Sequence, residues 1–472
     1  MFSADFKQNK QRLKEIIGHQ ADLVVEHEYV PSLDRHISFF YFGEIDPQKM
    51  EVFLNYFSQL PKRFFDKEGL EKEFHEPTIR YAEKVEEDIY EAVKAIYQDR
   101  CILLLENIPF VYILNLKHAL RRNLEESKTE RAIKGPKVSF IEDIQTNVAL
   151  IRRFAEDGSL VTKEHLVVTG NKQKVVNYVY HKENTDPVVI TELQERLNKI
   201  KQANIEDSGK IESLLDNSPF YSPFPQVQST DRIDPVLAGF EEGRIAVFVD
   251  GSPFACIVPT TLEQQMQAAD DYYDRWMLGS TIRILRYVAL FITLFVPPIY
   301  IALVSFHQGL IPDELSLTII NTRMNVPFPA VGEVVVMTLF VELLREASIR
   351  LPNPLGQTIG LVGGVVIGQA VVDAHIVSSI MVIIIAVTAI SSFAVPIYSL
   401  SMSFRLLSFI AIAFSAVLGL YGVVCFFIIL SIHLSSLHNY GVHYFSFEFS
   451  LKKHGFTDLW FRLPTILKDK KG

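Results

Sequence analysis

Three long stretches in the second half of the chain contain almost no charged residues. They cover positions 287–312, 351–404 and 406–447, and Asp373 is the one charged side chain among them. A helix needs roughly 20 apolar residues to cross about 30 Å of hydrocarbon, and each of these stretches is long enough. The sequence therefore predicts an integral membrane protein whose C-terminal part is an α-helical transmembrane bundle.

The chain before Arg286 is rich in charged residues and has no comparable apolar stretch. A net charge of −9 argues against nucleic acid as a partner. Cys101, Cys256 and Cys425 show no short spacing, so they predict neither a disulfide framework nor a zinc site. The first residues are charged and amphipathic and lack an apolar segment with a cleavage site, so we expect this soluble half to stay in the cytoplasm.

The soluble half contains an internal repeat. RCILLLENIPFVYIL, from Arg100, is similar to RIAVFVDGSPFACIV, from Arg244, and each predicts a β-hairpin around an acidic turn. Upstream, the segments that start at His36 and Val175 each predict a strand, an Asp-Pro turn and a helix. Chance similarity of two ordinary hairpins is the alternative, but the shared order of elements favours two related α/β subdomains.

The pattern divides the chain into five segments. They are an α/β subdomain at 1–130, a second at 131–260, an amphipathic coupling segment at 261–286, a transmembrane helical domain at 287–434 and a cytoplasmic tail at 435–472. Arg283 and Arg286 come just before the first apolar stretch, so by the positive-inside rule this end faces the cytoplasm. The tail is also basic, which favours an even number of crossings. We predict four, with five or six as alternatives.

The apolar stretches differ in how well they suit a spanning helix. Positions 287–306 predict a first span, kinked at Pro297-Pro298. Positions 327–354 carry several charges and favour an interfacial or re-entrant helix. Positions 355–396 fit two spans, or one span and a re-entrant piece. Leu406 to about His433 predicts one long last span.

Small residues recur at every fourth position in one of these stretches, which predicts a helix face for close packing. These glycines are Gly356, Gly360, Gly364 and Gly368. The opposite face presents polar groups at membrane depth, which are costly unless they meet water or a partner. We predict that this face lines a pore, with Val362, Val366, Gln369 and Asp373 as the lining residues.

A plainer interpretation of the polar groups stays open. Asp373 and His375 would then lie in a loop at the membrane edge, and Arg405 would be an interfacial anchor. No Walker A, GxGxxG, HExxH or GxSxG motif is present, and the histidines are scattered. The sequence therefore predicts no enzyme activity, no cofactor and no metal site.

Several segments together resemble one protein family. GPKVSFIEDIQTNVALIRR, SPFPQVQSTDRIDPV, VPFPAVGE and VELLREASIRLPNPLGQTIGLVGGVVIGQAVV are similar to the A subunit of GerA-type bacterial spore germinant receptors, in the same order over essentially the whole chain. Ile233 departs from the family pattern, which usually has proline there, so the stiffness of that turn is in question. The family-motif residues are Thr146, Asn147, Arg152, Asp231, Arg232, Asp234, Glu342, Arg345 and Glu346.

The resemblance implies a role in nutrient-triggered germination, in the inner membrane of the spore. It implies a transporter-like B subunit and a lipoprotein C subunit as partners. It also implies that A subunits form homo-oligomers that conduct monovalent cations, and a valine ring could close such a pore by dewetting. The alternatives are a non-conducting scaffold or ligand-sensing subunit, a transporter component, or the related non-receptor protein of late sporulation.

Overall fold

The structure is a computed structural model with two compact units. It describes residues 2–445 except 4, 19, 32–33, 44, 60–80, 99, 117–133, 137, 156–157, 170–171, 200–207, 217–218, 220, 351–363 and 365–367. The α/β unit comprises 1–216 and 227–259, and the helical unit comprises 217–226 and 260–472. Among the predicted site residues, Val362, Val366, Gly356 and Gly360 lie outside the described residues.

The first subdomain of the α/β unit is a five-stranded antiparallel sheet with strand order β1-β2-β4-β5-β3. Asp5 and Asp88 start two of its helices, because their carboxylates accept the backbone N–H groups of Lys7 and Tyr90. The elements are α1 (Phe6–Ile17), β1 (Leu23–Val30), β2 (Arg35–Phe42), α2 (Pro47–Gln59), β3 (Ala82–Glu86), α3 (Ile89–Tyr97), β4 (Cys101–Leu105) and β5 (Val111–Leu114).

Both faces of this sheet are buried. On β2, Phe39 and Tyr41 pack in one hydrophobic cluster with α2 residues, whereas Phe40 and Phe42 pack in another with α1 and α3 residues. Alternate side chains of a strand point to opposite faces, so an apolar run such as that of β2 requires cover on both sides. The helices supply that cover.

The second subdomain repeats this topology strand for strand, with the order β6-β7-β9-β10-β8. Both predicted hairpins are confirmed: β4 pairs with β5 and β9 pairs with β10, and Asn107 and Gly251 in their turns have positive φ. The elements are α4 (Ile144–Ala155), β6 (Leu160–Thr169), β7 (Lys172–His181), α5 (Pro187–Lys199), α6 (Ser208–Leu215), β8 (Gln228–Thr230), α7 (Ile233–Glu241), β9 (Ile245–Val249) and β10 (Ala255–Val258).

The helical unit follows directly after β10. Together the two units confirm the predicted α/β first half and helical second half. The elements are α8 (Leu262–Gln265), α9 (Asp270–Tyr273), α10 (Trp276–Ser305), a 3-10 turn (Gln308–Leu310), α11 (Asp313–Arg323), α12 (Ala330–Arg350), α13 (Gly368–Asp373), α14 (Ser379–Ser392), α15 (Tyr398–Leu418), α16 (Leu420–Ser436), β11 (His438–Asn439) and β12 (Val442–His443).

Two helices in the described part of this unit, α10 and α15, are long and apolar enough to cross a membrane. Helix α10 has 30 residues and starts at Trp276, so the segment predicted at 261–286 contains α8, α9 and the first turns of α10. Helix α12 is one continuous helix of 21 residues. The number of crossings stays a prediction.

The prediction of one long span from Leu406 to about His433 is wrong. The chain breaks at Gly419, which has φ 60° and ψ −137°, and helices α15 and α16 form an antiparallel pair on either side of it. The ring contact between Phe414 and Phe426 shows the reversal. Glycine is tolerated inside membrane helices, so an uncharged run that contains one does not reveal where the direction changes.

Contacts between helices define two ends of the helical unit. The Ser415 hydroxyl donates to the Pro298 carbonyl at 2.6 Å, near the C-terminal ends of α15 and α10, so these two helices run in the same direction. Helices α12 and α14 run opposite to them, since the starts of both pack against the C-terminal half of α10. We call the end with Trp276 the first end and the end with Ser305 the second end.

Gly419→Ala should destabilise the helical unit by roughly 1–3 kcal/mol. The φ and ψ of Gly419 are rarely adopted by other residues, and a Cβ there would lie 2.9 Å from both His307 Cε1 and Phe306 Cβ. Gly309→Ala is the matched control, because a Cβ at Gly309 meets nothing within 4 Å. Thermal unfolding of the full-length protein in detergent should show a lower Tm for the first variant alone. Equal Tm values would contradict this role of Gly419.

Candidate functional site

Arg152, on α4, connects the two subdomains of the α/β unit. It is 2% exposed, and its Nε and Nη2 donate to the Asp22 carboxylate at 2.6 and 2.7 Å. Nη2 also lies 3.1 Å from Gln20 Oε1 and 3.0 Å from Thr162 Oγ1. The guanidinium stacks 3.9 Å from the centroid of the Phe42 ring. The bidentate geometry fixes one subdomain against the other, and we call this contact the Arg152 latch.

The other motif residues on α4 make local contacts. Thr146 donates its backbone N–H to the Asp143 carboxylate at 2.8 Å, which caps the start of α4. Asn147 is buried, accepts from the Ile141 N–H at 2.9 Å and donates to the Ile141 carbonyl at 2.6 Å. Both residues therefore shape the loop that leads into α4.

The Asp231–Arg232–Asp234 motif shapes the start of α7 in a similar way. Arg232 Nε and Nη2 donate to the two oxygens of Asp234 at 2.9 and 2.8 Å. The Asp231 carbonyl accepts from the Phe140 N–H at 2.8 Å. Ile233, where the resemblance leads one to expect a proline, is fully buried at the start of the helix. These contacts hold the turn by hydrogen bonds and packing.

Arg152→Gln should weaken the contact between the subdomains and destabilise the α/β unit by about 3–5 kcal/mol, because Asp22 would keep a largely buried charge without its partner. Hydrogen–deuterium exchange of the full-length protein should become faster in β1 and β6. Arg153→Gln is the control, because Arg153 is the next residue in the sequence and its side chain is exposed. Similar exchange in both variants would show that the latch does not hold the subdomains.

A buried ion cluster lies at the first end of the helical unit. Arg286 donates to both oxygens of Asp271 at 2.6 and 2.8 Å, and Arg283 Nε lies 3.6 Å from the same carboxylate. Asp271 is 1% exposed and Arg283 is fully buried. Gly279 allows this approach, since a Cβ there would lie 2.6 Å from the Asp271 carbonyl oxygen. The cluster therefore fixes α9 against α10.

Glu263, on α8, is a second buried acid in this region and is 2% exposed. Burial raises the pKa of Glu263 to about 7, and the Thr261 hydroxyl and the backbone N–H of Glu263 act against this rise. The folded state therefore favours the protonated carboxyl group at pH values where a free carboxyl group is ionised. A buried acid that titrates in this range makes the unit sensitive to pH.

The folded helical unit should lose up to about 3 kcal/mol of stability as pH rises from about 4.5 to about 7. The folded state holds the Glu263 proton more tightly than the unfolded chain, so each step of ionisation favours unfolding until the folded pKa is passed. Glu263→Gln should remove this fall, whereas Glu346→Gln, at an exposed acid, should keep it. Tm values at pH 5 and pH 8 test this. If Tm still falls between pH 5 and pH 8 in Glu263→Gln, the role of Glu263 is contradicted.

A third buried charge lies at the second end. Glu333, the first acid of α12, is fully buried and accepts from Arg323 Nε at 3.1 Å. Its other oxygen accepts from the backbone N–H and the hydroxyl of Ser378, both at 2.8 Å. Ser378 is the N-cap of α14, so Glu333 ties α11, α12 and α14 together. With every acceptor occupied, the arrangement is structural.

The three predicted motif residues on α12 are Glu342, Arg345 and Glu346, and they differ in exposure. Arg345 Nη1 donates to Glu342 at 3.0 Å, and Nη2 donates to the Ser392 hydroxyl at 2.9 Å. Arg405 Nε, from α15, lies 3.6 Å from the same Glu342 carboxylate. Glu346 instead pairs with Arg350 at the surface of the helix. Arg405 is thus part of a cluster with Arg345 and Glu342, and its role as an interfacial anchor stays a prediction.

The described pore candidates lie on or beside α13. Gln369 and Asp373 are exposed in the single chain. A Cβ built on Gly364 or Gly368 would meet no described atom within 4 Å. His375 follows in a turn with φ 54°, and its Nδ1 lies 2.9 Å from the Asp373 carbonyl oxygen. No described residue therefore covers these small and polar groups, and their role in a pore stays a prediction.

Sequence reasoning missed the partners of most buried charges. Asp271 and Glu263 were part of an amphipathic pattern, and Glu333 was one of several charges on a helix interpreted as interfacial. The residue types did indicate that partners were needed, because an acid between apolar neighbours requires a cation or a hydrogen-bond donor nearby. The identity of the partner was not available, since Arg286 and Ser378 are distant in the sequence from the acids they contact.

Comparisons with known proteins agree over nearly the whole chain. The family described as Bacillus/Clostridium GerA spore germination protein matches residues 11–472. Spore germination protein A1 of Bacillus subtilis (strain 168) is 46% identical over 381 residues, which are 80% of this chain and 78% of that protein. The uncharacterized membrane protein YfkQ of the same strain is 38% identical over 380 residues, which are 80% of this chain and 74% of that protein.

A solved structure is also similar to this chain. It is the crystal structure of the N-terminal domain of the A subunit of the Bacillus megaterium spore germinant receptor GerK3, with a TM-score of 0.41 and 22% identity. The match covers 54% of this chain and 95% of that domain.

Proposed function

Because the chain belongs to the GerA family of spore germination proteins, we propose that it is the A subunit of a nutrient germinant receptor in the inner membrane of the spore. In this proposal its helical units assemble into a ring, and the ring conducts monovalent cations when a germinant is sensed. The α/β unit and the tail lie in the cytoplasm. A transporter-like B subunit and a lipoprotein C subunit complete the receptor.

The observation that carries the channel proposal is the uncovered polar face of α13. Asp373 and Gln369 are exposed in a unit whose other helices expose mostly apolar side chains. A carboxylate that meets hydrocarbon is strongly disfavoured, so in a membrane Asp373 requires water or a partner. A ring of identical subunits supplies water and a partner, because each α13 then faces an aqueous axis and lies beside a neighbouring subunit.

The glycines beside this face support the same arrangement. Gly364 and Gly368 leave open space within the described chain, and helices with small residues approach one another closely in membranes. A second copy of the helix can therefore pack there without a steric penalty. A ring of Asp373 carboxylates would attract cations and repel anions, as acidic rings do in cation channels.

The buried ion cluster at the first end supports a mechanism of gating. The chain passes from β10 directly into α8 and α9, and the Asp271–Arg286 pair fixes α9 to α10. A displacement of this segment moves the first turns of a 30-residue helix with it. Helices α10 and α15 run side by side through the unit, so the displacement reaches the second end.

Asp373→Asn should lower potassium flux severalfold through the activated receptor in liposomes, because the neutral ring no longer concentrates cations. Asp313→Asn, which removes an exposed acid near the same end, should leave flux nearly unchanged. Val362→Ala or Val366→Ala should raise flux in the absence of germinant if these valines close the pore. The readout is potassium efflux measured with a fluorescent indicator, with each variant reconstituted at equal protein density.

Two outcomes would overturn the channel proposal. One is an activated complex that releases no potassium, and the other is flux that none of these substitutions changes. Either outcome would leave the membership of the family intact and favour a subunit that organises its partners without conducting ions.

A further inference from the structure

Two buried arginines of the helical unit share a single carboxylate. Arg345 is 9% exposed and Arg405 is 8% exposed. Within the part of the chain that the structure describes, Glu342 is the one acid within ion-pair distance of either, at 3.0 Å from Arg345 Nη1 and 3.6 Å from Arg405 Nε. The three charges sum to one net positive charge. We call Arg345 and Arg405 the arginine pair.

The arginine pair also lacks hydrogen-bond acceptors. Each guanidinium carries five N–H donors. Among described residues, Arg345 reaches Glu342 and the Ser392 hydroxyl, whereas no side-chain hydrogen bond of Arg405 is present, and the Nε of both is buried without an acceptor. A buried charged donor without acceptors is costly, so this cluster is incomplete without a further anion.

The position of the pair indicates where that anion comes from. Arg345 lies near the C-terminal end of α12, and Arg405 lies two turns into α15, both toward the first end of the unit. The Phe393 ring lies 4.8 Å from the Arg345 guanidinium, and the Tyr398 ring lies 5.6 Å from that of Arg405. These rings are 70% and 55% exposed. Exposed aromatic side chains beside cationic ones are typical of the level of lipid headgroups.

We propose that Arg345 and Arg405 bind the phosphate of an anionic phospholipid headgroup. The planar guanidinium suits phosphate oxygens, and basic pockets between membrane helices bind such headgroups. Glu342 lies within ion-pair distance of both arginines, and its side chain is 30% exposed, so the cluster opens to the outside on that side. Phe393 and Tyr398 pack against the glycerol and the upper acyl chain. The site thereby fixes α12 and α15 to one leaflet.

The test uses the full-length protein in lipid nanodiscs of phosphatidylcholine alone or with phosphatidylglycerol. Phosphatidylglycerol should raise the Tm of the wild-type chain by several degrees and remain bound in native mass spectrometry. Arg405→Gln should weaken its retention at least tenfold and remove the Tm shift. Arg350→Gln removes the same charge from an exposed side chain of α12, so it should keep both effects.

A second variant covers the case in which Arg405→Gln does not fold. Glu342→Gln leaves both arginines and raises the net charge of the cluster by one, so it should retain phosphatidylglycerol more tightly than the wild type. Equal losses in Arg405→Gln and Arg350→Gln, or weaker retention in Glu342→Gln, would overturn the proposal. An equal Tm shift with millimolar inorganic phosphate in detergent would overturn the lipid as the ligand and assign the site to a free anion.

Discussion

The bidentate ion pair between Asp271 and Arg286 constrains how the chain enters the helical unit. Both side chains are removed from solvent, and Arg283 approaches the same carboxylate. Charges inside an apolar bundle are stable only where their partners are held in place. The pair therefore fixes α9 against the first turns of α10. The direction in which the chain enters its longest helix follows from this contact.

The same constraint acts elsewhere in the unit. At the second end, the Glu333 carboxylate accepts hydrogen bonds from Arg323 and from the backbone N–H and hydroxyl of Ser378. Its charge is therefore compensated. At the first end, the arginine pair has one carboxylate for two cations. Clusters whose arginines donate hydrogen bonds within the chain hold helices together, whereas Arg405 donates no side-chain hydrogen bond among the described residues, and we propose a ligand there. The same distinction separates the Arg152 latch, which is structural, from the exposed Asp373, for which we propose contact with water or a neighbouring subunit.

Much of the α/β unit could be predicted because its signals are local. Acidic turns between apolar runs marked both hairpins, and Asp-Pro turns marked the starts of α2 and α5. The repeated order of elements has its counterpart in two sheets with the same strand order. The helical unit was harder, because an uncharged run does not show where a helix ends. Gly419 reverses the chain within such a run, and its positive φ together with the ring contact between Phe414 and Phe426 reveals this.

Pairing between distant charges was the other limit of sequence reasoning. The distance in sequence from Arg405 to Glu342 gave no indication that the two would meet, and an arginine at the start of a span is commonly an anchor. The motif residues on α12 lie in different environments, since Glu346 pairs at the surface while Arg345 is buried. Residue type indicated that partners were needed, and the fold identified them.

The central claim is that copies of this chain surround an aqueous axis lined by α13. Imaging the full-length protein in lipid, with enough detail to count subunits and place side chains, tests it most directly. The account predicts a closed ring in which Asp373 and Gln369 face the axis and Gly364 and Gly368 meet a neighbouring helix. A single chain in the membrane, or a ring in which Asp373 faces lipid or a dry interior, would contradict it.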